Sequence, residues 1–196
     1  MGQAVVVIPV YLDTPPSEER ASFRQTLSVL HNHPIVIVTH TDCDLTIYHQ
    51  IAQEVGKEYA VECFDKLFFS SVQGYNDLCF STQFYNRFLD FEYMLICQLD
   101  AWVFSDQLEL WCNKGYDYIG APIFHAYTKT RFTTKFLGIG NGGFSLRRIS
   151  HCLKILNADK KRPYVVPSEL IRFYWNLGHY TEDFAKSLLK RLLIIP

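Results

Sequence analysis

The chain has 196 residues, of which 48% are hydrophobic and 20% charged, and its formal net charge is −1. That composition suits one globular domain with a sizeable core and excludes a disordered chain. With no basic stripe along any helical stretch it argues against nucleic-acid binding, and no apolar run reaches the roughly 18 residues of a membrane span.

The six Cys, at 43, 63, 79, 97, 112 and 152, form no CxxC and stand mostly inside apolar runs. Reduced buried thiols are expected rather than a disulfide frame or a zinc site. No charged leader with a cleavage pattern opens the sequence, so a cytoplasmic protein, at most peripheral to a membrane, is expected. The 15 Phe, 12 Tyr and 3 Trp read mainly as bulky core, with some left to line a sugar or base platform. Lys160, Lys161 and Arg162 read first as a solvated turn and otherwise as a patch for acidic lipid or phosphate.

Residues 4–11 (AVVVIPVY) read as a strand with Pro9 near its end. Ser17 is expected to cap a helix whose first turn carries Glu18 and Glu19 and whose inner face carries Phe23, Leu27 and Leu30. Residues 34–39 form the next buried strand, so the opening reads as a parallel strand–helix–strand unit. Asp44 is expected to cap a second helix, with Ile47, Ile51 and Val55 inward and Gly56 as its stop. A short strand follows over 59–64. Residues 74–89 read as one helix with Leu78, Phe84 and Phe88 inward.

Residues 93–104 (YMLICQLDAWVF) begin as a strand buried on both faces and bring Asp100 to its C-terminal end. Open α/β sheets keep their ligands at that rim. An Asp there can hold Mg²⁺ or Mn²⁺ against a diphosphate, although a strand-end Asp also starts turns. Asp106 and Glu109 read as a capping box for a helix over 107–112 that Gly115 ends. Residues 116–120 are a short strand. Residues 121–140 show no period and carry many Thr, Lys and Arg, which reads as either a lid or an exposed excursion.

Gly138-Ile139-Gly140-Asn141-Gly142-Gly143 demands close backbone approach or positive φ. A tight turn explains it. So does a backbone cradle for a sugar with Asn141 bonding hydroxyls. A dinucleotide loop fits poorly, because no long strand precedes it and the first strand–helix turn lacks Gly. Residues 144–147 read as extended, and 149–156 as a helix with Ile149, Leu153 and Leu156 in phase. Beyond a polar linker over 157–167, Thr181 is expected to cap a last helix and 192–196 to read as a final strand. Glu182-Asp183 can supply a base for an acceptor hydroxyl, but a helix N-terminus favours such acids without any function. His125 and His179 are exposed phosphate candidates, and neither has partners at metal-ligand spacing.

Four segments together resemble an uncharacterised family of GT-A-like glycosyltransferase domains, the domain of unknown function 5672. They are AVVVIPVY, the stretch FYNRFLDFEYMLICQLDAWVFSDQLELWCNKGYDYIGAP, then GIGNGGFSLRR, and the later Glu182-Asp183. The likeness covers most of 4–150. It implies a single GT-A-like, Rossmann-like α/β sandwich over 1–196 with a mostly parallel sheet, short at its C-terminus for that fold.

The resemblance implies a transferase of the inverting type, acting in polysaccharide assembly, with a nucleotide-diphosphate sugar as donor and a glycan or other hydroxyl as acceptor. The family's D-x-D falls on Asp100, Ala101 and Trp102, so the second carboxylate is missing. Asp100 would hold a divalent metal, Mn or Mg. Pro9, Val10 and Tyr11 would meet the donor with Asp100, Ala101 and Trp102. Gly140, Asn141, Gly142 and Gly143 would line the sugar and acceptor pocket, and Asp183 or Glu182 would act as base. The missing acid leaves a non-catalytic nucleotide- or carbohydrate-binding module as the alternative.

Overall fold

The structure is a computed structural model that describes residues 2–124 and 136–158. His125, His179, Thr181, Glu182, Asp183, the basic triplet at 160–162, the last helix and the final strand lie outside the described residues. Strands β1 (Gly2–Pro9), β2 (Ile35–His40), β3 (Ala60–Phe64), β4 (Phe91–Cys97), β5 (Tyr118–Phe124) and β6 (Phe136–Arg148) form one sheet in the order β3-β2-β1-β4-β6-β5. The pairs β3-β2, β2-β1 and β1-β4 are parallel; β6 runs antiparallel to both β4 and β5.

Helices α1 (Ser17–Val29), α2 (Thr46–Val55) and α5 (Leu108–Cys112) cover one face; α3 (Val72–Cys79), α4 (Thr82–Asn86) and α6 (Ile149–Asn157) cover the other. Successive β1 side chains alternate between the two. Val6 and Ile8 pack with Phe23, Leu27 and Tyr48, while Val5 and Val7 pack with Leu78, Phe84 and Met94. A strand covered on both faces has no polar side, which is why β1, β2 and β4 read as unbroken apolar runs.

Several boundaries depart from the sequence reading for local reasons. Ser17 does not cap α1. Pro16 occupies that position and its carbonyl accepts from Arg20 N at 3.0 Å, while the Ser17 hydroxyl turns to Glu18. Asp44 stands one residue before the N-cap of α2, where its carboxylate accepts from Thr46 N at 2.9 Å and Thr46 Oγ1 at 2.6 Å. Gly56 ends α2 at φ 72° as expected. Tyr48 and Ala52 replace Ile47 and Val55 among its buried residues, because the helix meets the core slightly rotated.

The helix expected over 74–89 is two, preceded by a 3-10 turn at Lys66–Phe69. Ser71 and Ser81 each offer a side-chain cap, accepting from Gly74 N at 3.0 Å and Phe84 N at 3.3 Å, and so start a new helix. Gly74 allows the turn to close: a Cβ there would stand 2.4 Å from the Leu67 carbonyl oxygen. Leu78, Phe84 and Phe88 are buried as read. Asp106 does not form a capping box. It sits one residue before the N-cap Gln107, accepts from Leu108 N at 3.1 Å and turns its carboxylate to His33.

The largest correction concerns 121–124 and 136–143, which are not aperiodic loop and tight glycine turn but belong to strands 118–124 and 136–148 of the sheet; the lid or excursion read over 128–135 lies outside the described residues. The glycine run lies inside β6, where register shifts near Gly120 and Ala121 and φ 149° at Gly140 absorb its irregular path. Pairing with β5, and the Gln98 N bond to Gly143 O just beyond β4, hold it extended, and no local signal reveals those partners.

Candidate functional site

The β1 chain leaves through α1 towards β2, whereas β4 lies on β1's other side. The crevice beyond their C-terminal ends is therefore a topological switch point, the place where open α/β sheets bind ligands. Three predicted segments meet at this edge. Pro9 ends β1 and Val10 follows it, with Val10 N donating to Val38 O at 2.9 Å. Both are buried, so they present backbone, while Tyr11 is 55% exposed.

The strand β4 stops at Cys97, so Asp100 lies three residues beyond it rather than on its last pleat. Gln98 O accepts from Ala101 N at 3.0 Å, and the turn this closes leaves Asp100 exposed. Trp102 is 47% exposed beside it. On the other side, Cys97 pairs with Phe144, and Gln98 N donates to Gly143 O at 2.7 Å. The Asp100 turn and the glycine run of β6 are thus neighbours at the backbone level.

The turn is fixed to α1 by side chains that the sequence reading did not single out. Ser22 Oγ donates to Ala101 O and Gln25 Nε2 to Val103 O at 2.8 Å. Further along, His33 Nε2 meets both Asp106 oxygens, at 2.9 and 3.0 Å. The chain from 100 to 106 is a strap laid along α1. The loop after β1 is held too: Tyr48 OH donates to Leu12 O at 2.9 Å and Asp44 N to Asp13 Oδ1 at 3.0 Å.

Glu19, read from sequence only as a helix-dipole acid, lies near Asp100. Burial, and then the Asp100 charge, hold its carboxyl above the usual range. The signal available in sequence was its place in the first turn after β1. Among the described residues no three His, Cys, Asp or Glu side chains converge to hold a metal. Thiol chemistry is disfavoured at the edge: burial first of all pushes the Cys97 thiol up to about 11, and burial also raises Cys43.

Of the two clefts described, one of about 520 Å³ lies beyond β2 and β3, lined by Thr41, Cys63, Asp65, Lys66 and Arg87. The other, of about 360 Å³, surrounds His33 and Asp106. Neither is lined by Asp100 or the glycine run.

The sheet order is that of a mixed α/β sandwich with a mostly parallel central sheet and a GT-A-like fold. The chain belongs to the family described as "Protein of unknown function (DUF5672)", which matches residues 58–187. Among solved structures it is similar to core-mannan synthase A (CmsA/Ktr4) from Aspergillus fumigatus in its Mn/GDP form. That alignment covers 98% of this chain and 70% of the other, at 9% identity and a TM-score of 0.56. A cytidylyltransferase from Leptospira borgpetersenii serovar Hardjo-bovis (strain JB197) aligns over 95% of this chain and 74% of its own, at 11% identity and a TM-score of 0.43. No curated protein matches the chain. Among the described residues no helix is long and apolar enough to cross a membrane.

Proposed function

We propose that the protein transfers a sugar from a nucleotide-diphosphate donor to a hydroxyl of a glycan or other acceptor. The observation that carries this reading is the backbone contact between the Asp100 turn and the glycine run, at the switch point of the sheet. Pro9, Val10 and Tyr11 border the donor with Asp100, Ala101 and Trp102. Tyr11 and Trp102 are exposed aromatic surfaces of the kind that stack on a base or sugar ring. Gly140, Gly142 and Gly143 would meet sugar hydroxyls through backbone, and Asn141 would bond hydroxyls in this reading, an amide carrying both donors and an acceptor.

The residues present fit a shared divalent cation rather than a dedicated protein cage. Mg²⁺ and similar ions use one or two carboxylates, with waters and substrate phosphates completing the shell. Asp100 is exposed, and Glu19 lies near enough to feel its charge. Asp100 would hold Mn²⁺ or Mg²⁺ against the diphosphate. Such an ion neutralises charge on the departing diphosphate. Inversion needs a base for the acceptor hydroxyl, and Asp183 or Glu182 takes that role in this reading.

Trp102 in place of a second D-x-D acid favours a second reading, a binding module without turnover. One experiment separates the two. Thermal shifts with GDP, UDP, CDP and CMP, each with and without Mn²⁺, should show a raised midpoint for at least one nucleotide. Slow hydrolysis of the matching nucleotide-sugar then marks a transferase. Binding without hydrolysis or transfer marks a nucleotide-binding module, and no response to any nucleotide sinks the transferase and the nucleotide-binding module alike.

A further inference from the structure

We infer that Arg147 is a positioning residue for transfer, holding the Gly142 carbonyl through Ser145 and so fixing the glycine run against the Asp100 turn. The inference rests on the transferase reading above. Ser145 pairs with Ile96 and Arg147 with Met94, so both side chains point to the face covered by α3, α4 and α6. They are 1% and 8% exposed.

A relay runs between them. Arg147 Nε donates to Ser145 Oγ at 3.0 Å, and Ser145 Oγ donates to Gly142 O at 3.0 Å. Arg147 NH2 reaches the same carbonyl at 3.4 Å, and NH1 donates to Tyr85 OH at 2.9 Å. Tyr85 is 3% exposed, so the far end of the fork is anchored in α4. The guanidinium also lies 5.8 Å from the centroid of the Tyr118 ring.

Among the described residues no carboxylate pairs with Arg147. An apolar side chain would fill that space without the desolvation cost of a buried cation. What Arg adds is a rigid fork of donors, and here one arm is aimed at a backbone carbonyl. That carbonyl belongs to the residue before Gly143, whose own carbonyl takes Gln98 N at 2.7 Å. A Cβ at Gly142 would stand 3.0 Å from Arg147 NH2, so fork and glycine are fitted to one another. A shift of ~1 Å in a reacting group's support is enough to cost about 100-fold in rate.

The test uses the full chain with Arg147→Met, Arg147→Lys and Ser145→Ala. Hydrogen exchange of the unliganded protein should quicken across residues 138–146 in each folded variant and stay unchanged across 4–9. The turnover rate on GDP- and UDP-hexoses should fall about 100-fold in Arg147→Met, with partial recovery in Arg147→Lys, while GDP and UDP bind within about twofold of wild type. Wild-type exchange and turnover in a folded variant would overturn the inference. So would a rate loss matched by loss of folded protein alone. Where Arg147→Met fails to fold, Ser145→Ala decides. An inert wild type would sink the transferase reading instead, and the exchange comparison would still decide whether Arg147 holds the segment.

Discussion

The two halves of the sheet are built differently. In the parallel half, β3-β2-β1-β4, the central strands are sealed by apolar side chains on both faces, with Val5, Val6, Val7, Ile8, Ile37 and Ile96 at 0% exposure. The antiparallel half, β6-β5, is held by polar clamps. Arg148 donates to Tyr93 OH, to Asp117 Oδ1 at 2.9 Å and to Gly115 O at 3.0 Å, and Arg147 forks between Ser145 and Tyr85. Apolar burial is undirected and large, so it sets the scaffold. Hydrogen bonds are directional and individually small, so they set where a backbone carbonyl points. The candidate site lies on the seam, with its acid from the first half and its glycines from the second.

The contrast can be broken by mutation. Phe23→Ala, at a wholly buried position under β1, should cost about 3–5 kcal/mol in urea unfolding. A cost under about 1 kcal/mol would show that the parallel half is not the scaffold. Asp100→Ala should leave the midpoint of unfolding unchanged, since the side chain is exposed, and lower transfer about 100-fold. Full transfer in that variant would remove Asp100 from the mechanism. Arg148→Met should cost about 1–2 kcal/mol, because its bonds are partly screened by solvent. If it destabilises as much as Phe23→Ala, the proposed division of labour fails. Ser22→Ala should cost about 1 kcal/mol and raise the donor KM, by freeing the Ala101 carbonyl from α1. An unchanged KM would show that the strap does not position the Asp100 turn.

The scaffold was legible because its causes are local or periodic. Apolar runs marked β1, β2 and β4, and the spacing of Phe23, Leu27 and Leu30 marked α1. Gly56 marked the end of α2, where it takes φ 72°, whereas α5 is capped by Asn113, two residues before Gly115 at φ 76°. Serine caps split what read as one helix, because capping by Ser71 and Ser81 competes with helical periodicity over the same residues.

The sequence by itself determined that an acid follows a buried central strand and that a glycine-rich segment follows later. Only the tertiary structure decided that the two are neighbours, through Gln98 N and Gly143 O, and that the glycine run is strand rather than turn. It alone placed Glu19 near Asp100, Ser22 on Ala101 and Arg147 beneath Gly142. The reason is physical. Strand propensity and amphipathic period are written within a few residues, whereas the partner of a hydrogen bond or a charge is chosen by chain crossings of tens of residues. No local pattern encodes those crossings.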